Sequence, residues 1–139
     1  MISLTIPGSP QGKQRPRWFK FGTYTPKETV NYETLIKELF AVKYADFKPI
    51  DCPVKMALEI FHSIPNSKSK KVKALMEAGS IRPVVRPDMD NVIKILCDAL
   101  SGLAYQNDSQ IIELTAKKFY SYIPRVELTL DGCGEEKEG

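Results

Sequence analysis

The strongest hydrophobic pattern in the chain lies between Asp88 and Gly102 and predicts an amphipathic helix. At about 100° per residue, its apolar side chains form one stripe of roughly 120° and its polar side chains lie opposite. The apolar stripe consists of Met89, Val92, Ile93, Leu96, Ala99, Leu100 and Leu103. The polar side consists of Asp90, Asn91, Lys94, Asp98 and Ser101. Pro87 and the N-cap candidate Asp88 predict where the helix begins, and Ser101-Gly102 predict where it ends.

Alternation of apolar and polar positions predicts strands on both sides of this helix. These strands cover Met1–Pro7, Val54–Ile64, Gln110–Tyr120 and Arg125–Leu130. Ile123-Pro124 is expected near the turn between the last two strands. A further short strand is expected after the loop SPQGKQRPR, and Val84-Val85 are expected to form a brief extended segment before Pro87.

Two more helices are predicted upstream of the central one. The first covers Pro26–Asp46 with Thr25 as N-cap, and the second covers Asn66–Gly79 with Ser67 or Ser69 as N-cap. The inward face of the first helix is expected to consist of Val30, Leu35, Leu39 and Val42, with aromatic residues around them. The element order β, (β), α, β, α, α, β, β predicts an α+β fold, with helices on an antiparallel or mixed sheet in one domain, residues 1–130.

The charges of the chain are unevenly distributed. The 139 residues carry a formal net charge of +3, but the segment Asp131–Gly139 holds four acids and one lysine and is expected to be disordered. Residues 1–130 therefore hold 19 Lys and Arg against 13 acids. A body of this charge fits a polyanionic partner.

The cysteines and the single histidine predict no site of their own. Cys52, Cys97 and Cys133 are scattered along the chain and are expected to be reduced thiols in a cytoplasmic protein, with Cys97 in the core. His62 lies near the end of a predicted strand and is interpreted as a sheet or surface residue rather than a general base. The sequence has no signal-peptide pattern and no apolar run long enough to span a bilayer, so no membrane partner is expected.

Asp88 and Asp90 lie two residues apart where the central helix begins. The positive end of the helix dipole stabilises their ionised forms, but two neighbouring carboxylates repel, and a divalent cation would relieve that repulsion. Mg²⁺ prefers carboxylate oxygens, and phosphate oxygens often complete its shell. Lys94 follows Asp90 by about one turn, and Asp108 lies beyond a short loop. Acids and a lysine around a metal ion form an arrangement that hydrolyses phosphodiesters.

A purely structural interpretation of the same residues stays open at this point. Asp88 can serve only as an N-cap, Asp90 only as a first-turn acid, and Lys94 only as the i,i+4 partner of Asp90 and Asp98. An isolated D-x-D pattern occurs often by chance. A calcium loop is excluded, because DMDNVIKILCDA lacks the glycine at its sixth position and the glutamate at its end.

Cationic side chains cluster in two other segments. In the first, SPQGKQRPRWFKFGTYTP, the basic residues alternate with aromatic ones, which are expected mainly to pack. The second contains a run of lysines at the start of the second helix and two arginines after it, which could form a positive rim around the acids. The residues predicted to contact DNA are Lys13, Arg15, Arg17, Lys68, Lys70, Lys71, Arg82 and Arg86.

The segment RPDMDNVIKILCDALSGLAYQNDSQI resembles the signature region of the RusA-type Holliday-junction resolvases, endodeoxyribonucleases of prophages and bacteria. The pattern of that family reads approximately D-x-D-N-x-x-K, then D-A-L, then a loop that ends in D-D-x-Q. The matching residues are Asp88, Asp90, Asn91, Lys94, Asp98, Ala99, Leu100, Asp108 and Gln110. The N-terminal segment PGSPQGKQRPR resembles the basic opening of phage members of the family. A match of this length is far more specific than D-x-D alone.

This resemblance implies a small α+β homodimer that cuts four-way DNA junctions symmetrically with Mg²⁺, or with Mn²⁺ in its place. It implies that Asp88, Asp90 and Asp108 are catalytic and hold one or two metal ions, and that Lys94 assists them. Asn91 and Asp98 are expected to support these residues, Asp98 by pairing with Lys94. The chain departs from the family at Asn107, where the first acid of the loop pair is replaced by an amide.

Two other functions compete with the nuclease at this stage. A catalytically silent nucleic-acid-binding module would use the same basic residues without cutting. A nucleotide-sugar transferase that binds Mn²⁺ through D-x-D is remote, because the chain is short and has no dinucleotide fingerprint.

Overall fold

The computed structural model describes residues 1–132. It contains six strands, three helices and one short 3₁₀ turn in this part of the chain. The strands are β1 (Ile2–Pro7), β2 (Arg17–Phe19), β3 (Gly22–Tyr24), β4 (Val54–Ser63), β5 (Ile111–Ser121) and β6 (Arg125–Gly132). The helices are α1 (Lys27–Lys43), α2 (Lys70–Glu77) and α3 (Met89–Leu100), and the 3₁₀ turn is Asp108–Gln110. The predicted α+β class is confirmed, and so is the element order, except that two strands, β2 and β3, lie where one was expected. No helix within residues 1–132 has the length and apolar character that crossing a bilayer requires.

The chain divides into two compact units, each built from separate segments. The first unit comprises Met1–Pro10, Pro53–Arg86 and residues 111–132, and it contains the four-stranded sheet and α2. The second unit comprises Gln11–Cys52 and Pro87–Gln110, and it contains α1, α3, the β2–β3 hairpin and the 3₁₀ turn.

The sheet of the first unit is mixed, with strand order β1-β6-β4-β5. β4 and β5 are parallel, and the other two pairs are antiparallel. Burial alternates along β1, β4 and β6, so that one face of the sheet is apolar and the other is polar. Leu128 pairs with Leu4 on one side and with Leu58 on the other, and all three are buried. Burying each such side chain contributes about 1.5–3 kcal/mol. His62 is buried within β4, which confirms the sheet interpretation.

Helix α3 confirms the strongest sequence pattern. Asp88 is its N-cap residue, Ser101 its C-cap, and Gly102 follows with φ +86°, the left-handed conformation that glycine adopts without strain. Its buried residues are Val92, Ile95, Leu96, Cys97, Ala99 and Leu100. Four residues of the predicted stripe are thus buried together with Ile95 and Cys97, whereas Met89, Ile93 and Leu103 are half-buried.

The predicted inward face of α1 is wrong. The buried residues are Thr29, Tyr32, Ile36 and Phe40, whereas Val42 is 83% exposed. These four residues recur every three or four positions, and α1 packs on α3 in the second unit. Tyr32 and Phe40 bury more apolar area than the valines can, so the aromatic positions decide which side of the helix faces inward.

Several predicted boundaries also change. Helix α1 begins at Lys27, with Pro26 rather than Thr25 at the N-cap position. Helix α2 begins at Lys70 because Ser69 caps it, its side chain accepting a hydrogen bond from the Val72 N–H at 3.3 Å. The segment after the basic loop forms two short strands, β2 and β3, where one was expected.

The boundary of the predicted acidic tail, Asp131–Gly139, changes as well. Asp131 belongs to β6, where its carboxylate lies 3.8 Å from the N-terminal ammonium group. Strand β6 continues to Gly132 and pairs with Val54 of β4 there. The rest of the predicted tail lies outside the described residues.

Candidate active site

Two carboxylates, those of Asp88 and Asp90, lie where α3 begins. Asp88 is the N-cap residue, but its side chain accepts no hydrogen bond from the first turn. Within residues 1–132, neither Asp88 nor Asp90 forms an ion pair, and both are exposed. The capping interpretation of Asp88 requires its carboxylate to satisfy an N–H group of the first turn. This bond is absent, so the Asp88 carboxylate does not act as a side-chain cap of α3.

Farther along α3, Asp98 lies between two lysines. Its carboxylate is 3.2 Å from the ammonium nitrogen of Lys13 and 3.8 Å from that of Lys94. Lys13 also contacts Glu33 of α1 at 2.6 Å, so one ammonium group joins acids from two helices. The contact predicted between Lys94 and Asp98 is therefore present. Lys94 itself is largely exposed, which leaves its ammonium group accessible to a ligand.

Lys13 lies between two acids, Glu33 and Asp98, which its place in a basic loop did not suggest. Partial burial on its own would lower the pKa of Lys13, but the hydrogen bonds and charges of Glu33 and Asp98 raise it overall. The loop is fixed here as well, because the Lys13 N–H donates to the Asn91 carbonyl oxygen at 2.9 Å. A Cβ on Gly12 would lie 2.9 Å from the Cβ atom of Asn91, which requires glycine beside α3.

Asp108 is held on a turn whose polar groups are satisfied locally. The Asn107 side-chain oxygen accepts a hydrogen bond from the Ser109 N–H at 3.0 Å, and the Gln110 side-chain oxygen accepts one from the Asn107 N–H at 2.8 Å. The Gln110 amide nitrogen donates to the carbonyl oxygens of Ile50 and Cys52. Asn107 thus shapes the turn, while the carboxylate of Asp108 is exposed and forms no ion pair among the described residues.

A buried tyrosine connects this turn to α3. The Tyr105 hydroxyl donates to the Cys97 carbonyl oxygen at 2.8 Å. Burial raises the pKa of Tyr105, and the negative charges of Asp108 and Asp98 add to that increase. Burial likewise raises the pKa of the Cys97 thiol, and Asp108 and Asp98 act on it in the same direction. Cys97 is therefore a protonated core residue, as predicted, and the charges of Asp108 and Asp98 both reach this end of α3.

The predicted metal ligands do not form a ready-made three-ligand centre. In the part of the chain that the structure describes, no group of three or more His, Cys, Asp and Glu side chains is arranged to hold a metal ion. Asp88, Asp90 and Asp108 thus provide carboxylates that have no protein partner but do not enclose an ion by themselves. Carboxylate oxygens in small number suit Mg²⁺, which retains waters and uses substrate phosphates as further ligands.

Comparison with known proteins identifies the family. The profile of the endodeoxyribonuclease RusA family matches residues 7–131. The chain belongs to the RusA endodeoxyribonuclease family. It is also 36% identical over 137 residues to "Uncharacterized protein YqaN" of Bacillus subtilis (strain 168), covering 93% of this chain and 94% of that protein. The family resemblance inferred from the α3 region is confirmed and extends over nearly the whole chain.

The residues predicted to contact DNA differ in how they are held. Arg15 and Arg17 are exposed in the second unit of this RusA-family chain. In the first unit, Lys68, Lys70, Lys71 and Arg86 are exposed. Arg82 is held more firmly, since its Nε donates to the Lys118 carbonyl oxygen at 2.6 Å and its guanidinium lies 4.1 Å from the centre of the Phe119 ring. DNA contact by all eight predicted residues stays a prediction, and Lys13 is the one already paired with acids.

Sequence reasoning missed two residues that shape the site of this RusA-family protein, Glu33 and Tyr105, and it gave no structural role to Asn107. Glu33 was passed over because it lies on a different helix from the motif, 20 positions from Lys13. Tyr105 and Asn107 lie in the loop between motif elements, where no periodicity indicates a role. Only Asn107 gave a usable signal, since Asn followed two residues later by Ser is typical of a side-chain-capped turn.

Proposed function

We propose that this protein is a divalent-metal-dependent endodeoxyribonuclease that resolves four-way DNA junctions by paired nicks. Its membership of the RusA family supports nuclease activity. The single structural observation that carries the proposal is the exposure of three carboxylates, Asp88, Asp90 and Asp108, without protein partners among residues 1–132. We propose that these acids bind a divalent cation, and that this cation in turn binds a phosphate group of the DNA.

The donor set suits Mg²⁺, with Mn²⁺ as a substitute. Asp88 and Asp90 are hard oxygen ligands beside the positive end of α3, and Asp108 is proposed as a third ligand. When bound, the metal would supply Lewis-acid stabilisation of charge on the phosphodiester and activation of water. The absence of a complete protein cage agrees with the usual Mg²⁺ shell, in which phosphate oxygens and waters occupy several positions.

The protein's own side chains are proposed to bind and orient the DNA backbone. Lys94 is exposed and would place a positive charge beside the phosphate on which negative charge develops. Asp98 orients the Lys94 ammonium group, and Asn91 supports the same turn of α3. Arg15, Arg17 and the lysines before and within α2 are proposed to bind phosphates farther from the cut, which would make affinity salt-dependent.

Paired cutting is proposed to need a homodimer. One chain contains one set of Asp88, Asp90 and Asp108, whereas resolving a junction requires one nick in each of two opposed strands. A two-fold dimer would present two identical sites to a substrate that has matching symmetry.

The proposal is tested with an end-labelled synthetic four-way junction. With Mg²⁺, the wild-type protein should produce two symmetric nicks, and a chelator should remove both while leaving the junction bound. A linear duplex of the same sequence should stay intact. Retention of the junction without nicks after prolonged incubation with Mg²⁺ or Mn²⁺ would refute the nuclease and leave a silent DNA-binding module. Sedimentation of the protein as a monomer while it makes paired nicks would refute the dimer.

A further inference from the structure

The segment of residues 15–25, here called the aromatic arm, exposes side chains that proteins normally bury. It contains β2 and β3, which pair through Arg17 with Tyr24, Trp18 with Thr23 and Phe19 with Gly22. Every residue of the arm is exposed. Trp18 and Phe21 are 85% and 84% exposed, which corrects the expectation that these aromatic rings mainly pack.

Such exposure is unfavourable unless another molecule covers the rings. An aromatic side chain buries 150–250 Å² when it is packed, and contiguous exposed apolar surface marks interaction sites. The only strong ring contact within the arm is an edge-to-face pair between Phe19 and Tyr24, with centroids 5.9 Å apart. Trp18 and Phe21 have no ring partner of this kind among the described residues, so their faces are available to a flat ligand.

The charge around these rings selects the kind of partner. Arg15, Arg17 and Lys20 lie in the arm, and the chain has no acid before Glu28. The Lys20 ammonium nitrogen is 5.6 Å from the centre of the Phe21 ring, so cation and ring share one surface. A second copy of the arm would bring like charges together. A polyanion that offers flat aromatic faces, which is a nucleic acid with unstacked bases, matches both features.

We infer that the aromatic arm recognises the branch point of DNA, with Trp18 and Phe21 stacking on bases that are unstacked there. Arg15 and Arg17 bind the flanking phosphates. In a continuous duplex each base face is covered by its neighbours, whereas strand exchange at a branch exposes some of them. The arm therefore distinguishes branched from linear DNA, which the carboxylates of α3 cannot do. This inference rests on the proposed function, because it names how that substrate is selected.

The chain offers a direct probe, since Trp18 is its only tryptophan. Trp18 emission is followed while the full-length protein is titrated, in a chelator, with a synthetic four-way junction or with a linear duplex of the same sequence. We expect strong quenching by the junction and little change with the duplex. Trp18→Ala and Phe21→Ala should each raise the junction Kd roughly fivefold or more, because stacking contributes about 1–3 kcal/mol per base.

Matched variants separate stacking from other effects. Trp18→Phe should retain most of the junction affinity, because it retains an aromatic face. Tyr122→Ala removes an exposed aromatic residue of the β5–β6 turn and should change neither Kd. Arg17→Ala should weaken junction and duplex alike and reduce the salt slope. Circular dichroism should show unchanged folding for Trp18→Ala and Phe21→Ala, since both side chains are exposed.

The outcomes distinguish this inference from the proposed function. Equal quenching by duplex and junction, or an equal loss of affinity for both in Trp18→Ala, overturns branch recognition by the arm. A lost dimer with unchanged junction Kd in Trp18→Ala also overturns it and makes the arm a protein contact. Junction nicks without Trp18 quenching refute the arm and leave the nuclease standing. Selective quenching with no nicks in Mg²⁺ or Mn²⁺ supports the arm and refutes the nuclease.

Discussion

The second unit contains two sets of acids that differ in their partners and not in their chemistry. Glu33 and Asp98, the paired acids, are partly buried and share the ammonium group of Lys13 at 2.6 and 3.2 Å. Asp88, Asp90 and Asp108, the free acids, are exposed and form no ion pair within residues 1–132. The carboxylates of the paired acids have a cationic partner, whereas those of the free acids have none among the described residues.

We propose that this difference, at the positions of the family motif, separates structural from functional carboxylates. If Lys13 were lost, Glu33 would have no ion partner among the described residues and Asp98 would retain only Lys94, so we expect both acids to contribute to stability. The free acids gain nothing from the protein around them, so their charge is available to a cation and a phosphate from outside. Substitutions in the first set should lower the free energy of unfolding, and substitutions in the second should lower the rate of cleavage.

The largest expected effect is that of Asp90→Asn. Cleavage of the junction should fall on the order of 10³-fold or more in single-turnover assays, because charge stabilisation worth several kcal/mol at the transition state is lost. The free energy of unfolding should change by less than about 1 kcal/mol, the contribution of a first-turn acid to the helix dipole. Glu38→Gln, an exposed acid of α1, is the matched control and should retain full activity. Unfolding of Asp90→Asn in parallel with its lost activity would place Asp90 among the structural acids.

Asp98 is one of the paired acids but also contacts Lys94. Asp98→Asn should therefore slow cleavage, but less than Asp90→Asn does. Cleavage should fall about 10- to 100-fold, as is usual when a residue that orients a catalytic group is lost. The Mg²⁺ concentration for half-maximal cleavage should stay unchanged, since Asp98 does not bind the metal in this proposal. Lys94→Arg should retain more activity than Lys94→Met. A shifted Mg²⁺ requirement in Asp98→Asn would instead make Asp98 a metal ligand.

Lys13→Met tests the paired set directly. The free energy of unfolding should fall by about 1–3 kcal/mol in urea denaturation, because Glu33 and Asp98 are left without their shared partner. Lys37→Met, on the exposed side of α1, should change it by no more than about 0.5 kcal/mol. Unchanged stability with weakened DNA binding would return Lys13 to the DNA-contact role that its sequence suggested.

The stability that Lys13 provides depends on pH because the pKa of Lys13 is raised in the folded protein. Glu33 and Asp98 bind its protonated form, so the unfolded state releases the proton first as the pH rises. The stability difference between wild type and Lys13→Met should therefore be complete below the ordinary lysine pKa of 10.5. It should decrease only as the pH rises through the folded-state pKa above that value. A difference that disappears between pH 7 and 9 would contradict the ion-pair explanation.

Mg²⁺ should stabilise the fold through the free acids alone. At a concentration ten times its Kd, a ligand of the folded state stabilises it by about 1.4 kcal/mol. Thermal or urea unfolding of wild type and Lys13→Met should show this gain, and Asp90→Asn should lose it. An equal gain in all three proteins would mean that the ion binds elsewhere.

The sequence predicted best what is local. Helix α3 follows from a repeated apolar stripe, an N-cap residue at Asp88 and a glycine at position 102, all within one continuous segment. The D-x-D pair and Lys94 lie on this same segment. The inward face of α1 was wrong because its valines and its aromatic residues compete for the core, and only packing on α3 decides between them.

Contacts between distant segments could not be predicted in the same way. Lys13 looked like a phosphate ligand because it lies in a basic loop, and nothing near it in sequence indicates the carboxylates of Glu33 and Asp98. The exposure of Trp18 was missed for the opposite reason. An aromatic residue in a short strand is usually buried, and only the structure shows that no other element covers this hairpin among residues 1–132.

The smallest expected effect concerns Asn107, where the family pattern has a first acid. Its side-chain oxygen accepts the Ser109 N–H, and a carboxylate can accept the same bond, so Asn107→Asp should preserve the turn that holds Asp108. Cleavage should change by no more than about threefold, equivalent to ~0.6 kcal/mol. Asn107→Ala removes the bond and should cost about 1 kcal/mol of stability. A tenfold or greater rise in cleavage by Asn107→Asp would show that a carboxylate at position 107 binds the metal. Family members that have an acid at this position would then have a fourth metal ligand.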